Sequence, residues 1–97
     1  MELFSVKRVM YEKEEVMNFT EIYYEKVPKR LKELRKGRGR SQIDLARMFG
    51  VGQRTVSDYE RGVVIVPYDR FLTLAKYYDV SLEYLTGLSD QPGNFPY

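Results

Sequence analysis

Gln53, Arg54, Thr55, Ser57 and Asp58 stand within six positions of one another. Their side chains are an amide, a guanidinium, two hydroxyls and a carboxylate, a set made for hydrogen bonding. The rest of the chain supplies little covalent chemistry. It has no His and no Cys, which removes the commonest general base and metal ligand, any thiolate nucleophile, any Cys-rich zinc site and any disulfide framework. A Ser–Lys dyad is the one hydroxyl route left, and nothing in the spacing positions it. No catalytic residue, metal or cofactor is expected, so the chemistry on offer is recognition.

Recognition needs a rigid element beneath those side chains, and the sequence reads as short helices punctuated by Gly and Ser. Val27, Leu31 and Leu34 form an apolar helical stripe, with Pro28 in the first turn and Gly37 and Gly39 ending the helix. A further short helix over about 18–26 precedes it. Ser41 caps the next helix, with Asp44 at the reciprocal position of a capping box and Leu45, Ala46 and Phe49 on the inner face. Gly50-Val51-Gly52 separates this from a helix over Gln53–Arg61, with Val56 and Tyr59 inward and Gly62 as the stop. A fourth helix runs from about Pro67 to Tyr78 on a stripe of Tyr68, Phe71, Leu72, Ala75 and Tyr78. Ser81 caps a fifth, Leu82–Thr86, and residues 89–97 form an irregular tail.

Ninety-seven residues amount to one small domain, which buries only roughly 60–65% of its unfolded surface and has little room for a large substrate cleft. No apolar run approaches the ~20 residues of a membrane span, and no signal peptide is visible, so a cytoplasmic protein is expected. The overall charge of +2 conceals a strong asymmetry. Residues 1–25 carry −3, residues 26–40 carry +7 and residues 41–97 carry −2. Lys29, Arg30, Lys32, Lys36 and Arg38 belong to the basic block. Such a block either steers a polyanion at long range or is a solvated helix face.

Two short helices joined by a tight glycine turn make a helix-turn-helix. Ala46 is small where the helices cross, Gly50 permits the sharp exit, and Val51 and Val56 fill the junction. The five polar residues are then left on the outward face of the second helix. A helix fits the DNA major groove, where Gln pairs with adenine, Arg with guanine, and a Thr methyl packs on the thymine methyl.

Val27-Pro-Lys-Arg-Leu-Lys-Glu-Leu-Arg35, Ser41-Gln42, Leu45-Ala46, Phe49-Gly50-Val51, Val56-Ser57, Tyr59-Glu60-Arg61-Gly62 and Val80-Ser-Leu-Glu-Tyr-Leu85 together resemble the lambda-repressor/Cro-type (xenobiotic-response-element, XRE) helix-turn-helix family. The resemblance covers residues 27–88. It implies an all-α, compact five-helix domain, here carrying an N-terminal arm, that represses transcription as a homodimer on a palindromic double-stranded DNA operator. It also implies that Ser41 and Gln42 bind phosphate, that Gln53, Arg54 and Asp58 face bases with Thr55 and Ser57 beside them, and that Arg61 touches phosphate. Arg35 and Glu60 match a buried ion pair of the family. Loss of one partner of such a pair costs about 3–5 kcal/mol.

Three positions depart from the family pattern. Arg40 replaces an apolar residue and either snorkels outward or adds a phosphate contact. Gly52 replaces a Ser or Thr cap. Val63-Val64-Ile65-Val66 is apolar where relatives carry Lys or Arg, and joins either the core or a dimer contact. Of the nine tyrosines, Tyr59, Tyr68, Tyr78 and Tyr84 fall on core-facing or interface stripes.

Residues 1–26 read as an arm, with a possible strand over Glu2–Tyr11. In a rival reading, Lys13-Glu14-Glu15-Val16-Met17 is a translated ribosome-binding site and the start is Met17. The organisation expected is an arm (1–26), a DNA-binding domain (27–88) and a tail (89–97). The alternative function is a protein-interaction module, such as an antitoxin or anti-repressor, gripping a protein partner through the arm or tail.

Overall fold

The computed structural model describes residues 19–96, whose regular structure is helical with no strand among them. Five helices follow in order: α1 Phe19–Gly37, α2 Gln42–Phe49, α3 Gln53–Arg61, α4 Tyr68–Tyr78 and α5 Leu82–Thr86. The possible strand at Glu2–Tyr11 and the alternative start at Met17 lie outside the described residues.

Helix α1 differs from the expectation of two helices meeting before Pro28. It is one element of 19 residues with Pro28 inside it, and it crosses the boundary expected at residue 26. An internal proline removes one backbone hydrogen bond and costs about 3 kcal/mol. The compensation is a continuous inner face: Tyr23, Val27 and Leu31 repeat every four residues across the proline, and all three are buried. Pro28 is itself buried, and the turn after α3 comes down on its ring. A Cβ placed on Gly62, where φ is +71°, would lie 3.1 Å from Pro28 Cγ. Only glycine meets both the left-handed backbone and the close approach there.

The main core joins α1, α4 and α5 through Val27, Leu31, Phe71, Leu74, Ala75, Tyr78, Val80 and Leu85, with Tyr59 entering from α3. A smaller cluster, Leu45, Ala46 and Val56, lies between α2 and α3 beneath Phe49 and Val51. The inner face of α4 is rotated from the one expected. Phe71, Leu74, Ala75 and Tyr78 are buried, whereas Tyr68 is 73% exposed and Leu72 is only half-buried. Both sets keep the i, i+3, i+4, i+7 spacing of a helical face, so periodicity alone does not choose between them; packing buries the face that carries Leu74 and leaves Tyr68 outside. Val66 joins the core, and its backbone N–H donates to the Tyr23 hydroxyl at 2.8 Å. Val63, Val64 and Ile65 remain exposed.

The tail is irregular but tethered. Arg30, expected in the basic steering group, is instead buried: its guanidinium donates to the carbonyls of Tyr84 and Ser89 and to Asp90, 2.6 Å away, and stacks on the Tyr84 ring. Further along, Asp79 ends α4 in a left-handed conformation, and its carboxylate accepts from the Asn94 amide and the Phe95 backbone. Lys26 and Arg30 beside Asp90 hold its carboxyl below the usual carboxylate range. Replacing Arg30 with Ala should cost about 2–3 kcal/mol, since hydrogen bonds from a charged donor are among the stronger ones. Hydrogen exchange at residues 89–95 should accelerate with it; unchanged exchange there would show that the latch does not hold the tail.

Burial raises Tyr78 from 10.0 to about 12, and desolvation raises Tyr23 as well, against its hydrogen bond from Val66. The folded state therefore keeps protons that the unfolded state has already lost. Stability is full below the ordinary tyrosine range and falls as pH climbs from about 10 toward 12. Thermal melting across that window should show the decline, and Tyr78→Phe should flatten it.

Candidate nucleic-acid interface

The α2–α3 unit is built by local signals. The Ser41 hydroxyl accepts from the Asp44 N–H at 3.0 Å, and the Asp44 carboxylate accepts from the Ser41 N–H at 3.0 Å, completing the expected capping box. The backbone donor at Ser41 is the main reason the Asp44 carboxyl is held below its ordinary range. Because its oxygen is an acceptor in the box, the Ser41 hydroxyl still has its proton to donate outward. Gly50 closes α2 in the left-handed conformation (φ 67°), and the Val51 N–H returns to the Ala46 carbonyl at 3.0 Å. Three residues therefore suffice to turn the chain into α3.

Helix α3 starts at Gly52, which offers no side-chain cap. Its first backbone N–H groups therefore face outward with the positive end of the helix dipole behind them. Val56, Tyr59 and Glu60 form its buried side. Gln53 and Arg54 are exposed, with the Arg54 side chain 87% accessible. Ser57 and Asp58 are half-buried beside them, and so is Thr55.

The register of α3 is fixed by Arg35 and Glu60. Arg35 Nε and Nη2 donate to the two Glu60 oxygens at 2.7 and 3.0 Å, and both side chains are almost fully buried. The third guanidinium nitrogen donates to the Arg40 carbonyl at 2.6 Å. The pairing with Glu60 raises Arg35 above its already high ordinary pKa. Arg40 uses only its backbone here, and its side chain is exposed.

One hydrogen-bonded chain radiates from this pair, and a second lies along the outer face of α3. Gln42 donates to Glu60 at 3.1 Å and accepts from Gln53 at 3.3 Å, so the first residues of α2 and α3 touch. At the other end of α3, Arg61 donates to Ser57 at 3.2 Å and to Asp58 at 2.5 Å, while Arg54 lies 3.7 Å from the same carboxylate. Ser41, Gln42 and Gln53 are thus gathered at one end, and Arg54, Ser57, Asp58 and Arg61 along the outer face. Thr55 belongs to neither chain.

One cation beside this unit was not singled out from sequence. Arg70 on α4 donates to the Tyr59 hydroxyl on α3 at 2.7 Å, a contact that local patterning does not signal. Arg38 lies over the rings of Tyr77 and Tyr78, which leaves Lys32 and Lys36 as the more loosely held cations of the basic block, since Lys29 pairs with Glu33 at 4.0 Å.

A protein-family model described as "Helix-turn-helix" matches residues 31–85. Two curated proteins of Bacillus subtilis (strain 168) are similar. The uncharacterized HTH-type transcriptional regulator YobD is 36% identical over 63 residues, covering 65% of this chain and 56% of YobD. The HTH-type transcriptional regulator ImmR is 39% identical over 59 residues, covering 61% of this chain and 46% of ImmR. The chain therefore spans about half the length of the curated relatives it matches. The matched residues take in the end of α1, the capped turn and the α5 contact, all of which the structure assembles as the resemblance implied: the chain belongs to the helix-turn-helix family.

Proposed function

We propose that this protein is a sequence-specific repressor that binds double-stranded DNA through α3 and occludes a promoter as a homodimer on a palindromic operator. The observation that carries the reading is the two-sided construction of α3. Its inner face is anchored by a buried bidentate ion pair, and its outer face presents Gln53 and Arg54 to solvent. A rigid helix with free amide and guanidinium groups near its N-terminus has the geometry that reads base edges in the major groove. Ser41, Gln42 and Arg61 flank it where phosphates would pass. Asp58 accepts from cytosine or, in the free protein, holds Arg61 and Arg54 in place.

Support for a homodimer comes from Val63, Val64 and Ile65, which follow α3 directly and are exposed alongside Tyr24. Apolar side chains grouped beside a recognition helix are a natural surface for a two-fold partner.

Selection of bound duplexes from a random pool should return two inverted half-sites about 34 Å apart, one helical turn. Absence of duplex binding even at low salt would sink the proposal. Within the selected site, Arg54→Ala should cost about 1–3 kcal/mol and relax preference at one position. Lys36→Ala should weaken all duplexes alike and reduce the salt slope by about one. If both substitutions lower every sequence equally, Arg54 is a phosphate contact and not a reader.

A further inference from the structure

A cavity of about 220 Å³ lies between α4 and the α2–α3 unit, with Leu31, Phe49, Val56 and Leu74 among its walls. It separates the main core from the smaller cluster under the helix-turn-helix. An apolar cavity of about 150 Å³ already stays dry and takes up benzene. Its lining is not wholly apolar. Tyr78 contributes to the wall, is 5% exposed, and its hydroxyl is buried with no hydrogen-bond partner among the described residues. Buried hydroxyls are nearly always partnered, so an orphaned one points to a partner supplied from elsewhere. Glu60, also in the wall, already has Arg35 and Gln42 on its oxygens. The buried wall thus offers a donor and no unpaired charge, while Asp69 and Arg70, at exposed positions on the rim, carry opposite charges.

We propose that this cavity is a binding site for a small, neutral, ring-sized molecule carrying one hydrogen-bond acceptor, with the Tyr78 hydroxyl as its donor. Charged molecules are disfavoured because they would lose hydration against a buried wall that holds no free counter-charge, Asp69 and Arg70 being confined to the exposed rim. The Tyr78 hydroxyl is protonated at neutral pH, as tyrosine ordinarily is, and so stands in its donor form. Entry is past Arg70, whose side chain reaches from α4 to the Tyr59 hydroxyl at the cavity wall. An exposed arginine can swing aside on the picosecond to nanosecond scale. The occupant would rest against Val56 and Tyr59, on the back of the helix that carries Gln53 and Arg54.

The test needs no DNA, so it stands or falls apart from the operator reading. The 97-residue chain, labelled with ¹⁵N, is titrated with acetophenone and, separately, with ethylbenzene, which keeps the ring and lacks the acceptor. Acetophenone should give saturable amide shifts centred on Leu45, Val56 and Leu74. Thr73→Phe, at an exposed position on the cavity rim, should abolish them while leaving the rest of the spectrum folded. Tyr78→Phe should weaken acetophenone roughly five- to tenfold, the worth of one hydrogen bond, and leave ethylbenzene unchanged. Shifts that never saturate, that spread over the surface, or that survive Thr73→Phe would overturn the site. Equal loss of both probes in Tyr78→Phe would overturn the role of the hydroxyl.

Discussion

Arg35 and Glu60 take two opposite charges out of water at the point where α1, the α1–α2 turn, α2 and α3 converge. Desolvating two ions is expensive, and their mutual attraction returns that free energy only when the geometry is good and the remaining donors are satisfied. Both conditions hold. The pair is bidentate, the spare Arg35 nitrogen reaches the Arg40 carbonyl, and Gln42 adds a donor to Glu60. The net contribution to stability is therefore small, but the directional demand is large. Rotating α3 by even a fraction of a turn would leave a buried carboxylate unpaired. The outward aim of Gln53 and Arg54 follows from that constraint on the opposite face.

The positive charge and the proposed reading helix lie on different parts of the molecule. The basic excess sits in residues 26–40, whereas α3 holds two arginines against Asp58 and Glu60. Within the basic block the structure divides the cations further. Arg30 and Arg35 are buried in structural contacts and Arg38 lies on aromatic rings. Lys32 and Lys36 keep their charge in solvent, where it acts at a distance. A positive run in the sequence thus overstates the field that a polyanion meets, because two of its strongest members are neutralised by Glu60 and Asp90.

What was legible in the sequence is what local chemistry decides. Ser41 with Asp44, Gly50, Gly62, and Ser81 with Gly87 mark the ends of α2, α3 and α5 because each makes its cap with residues only a few positions away. The exposed face of α3 followed from its short buried set. The continuity of α1 through Pro28 and the rotation of α4 away from Tyr68 were not legible, since both are set by packing on segments tens of residues distant. The same holds for Arg30, whose partners lie 54 to 60 residues on, and for Arg70 against Tyr59. A charged side chain gives no hint in sequence of whether it will face water or a buried carbonyl.

The free interface is already internally bonded, and this shapes how it can engage a ligand. Arg61 and Arg54 converge on Asp58, and Gln53 rests on Gln42. These contacts are at the surface, where an ion pair is worth at most about 1 kcal/mol. Exchanging them for a phosphate or a base edge therefore costs little. In return they hold long side chains near one arrangement before any partner arrives, which lowers the ordering entropy lost on contact. Asp58 adds a second effect. In the proposed complex its carboxylate would repel phosphate, so a backbone approaching α3 out of register would meet a negative charge, while one in register would meet Arg61 and the donors at Ser41 and Gln42. On that proposal the same residue that organises the free surface would penalise the wrong alignment, and discrimination would arise from repulsion as well as attraction.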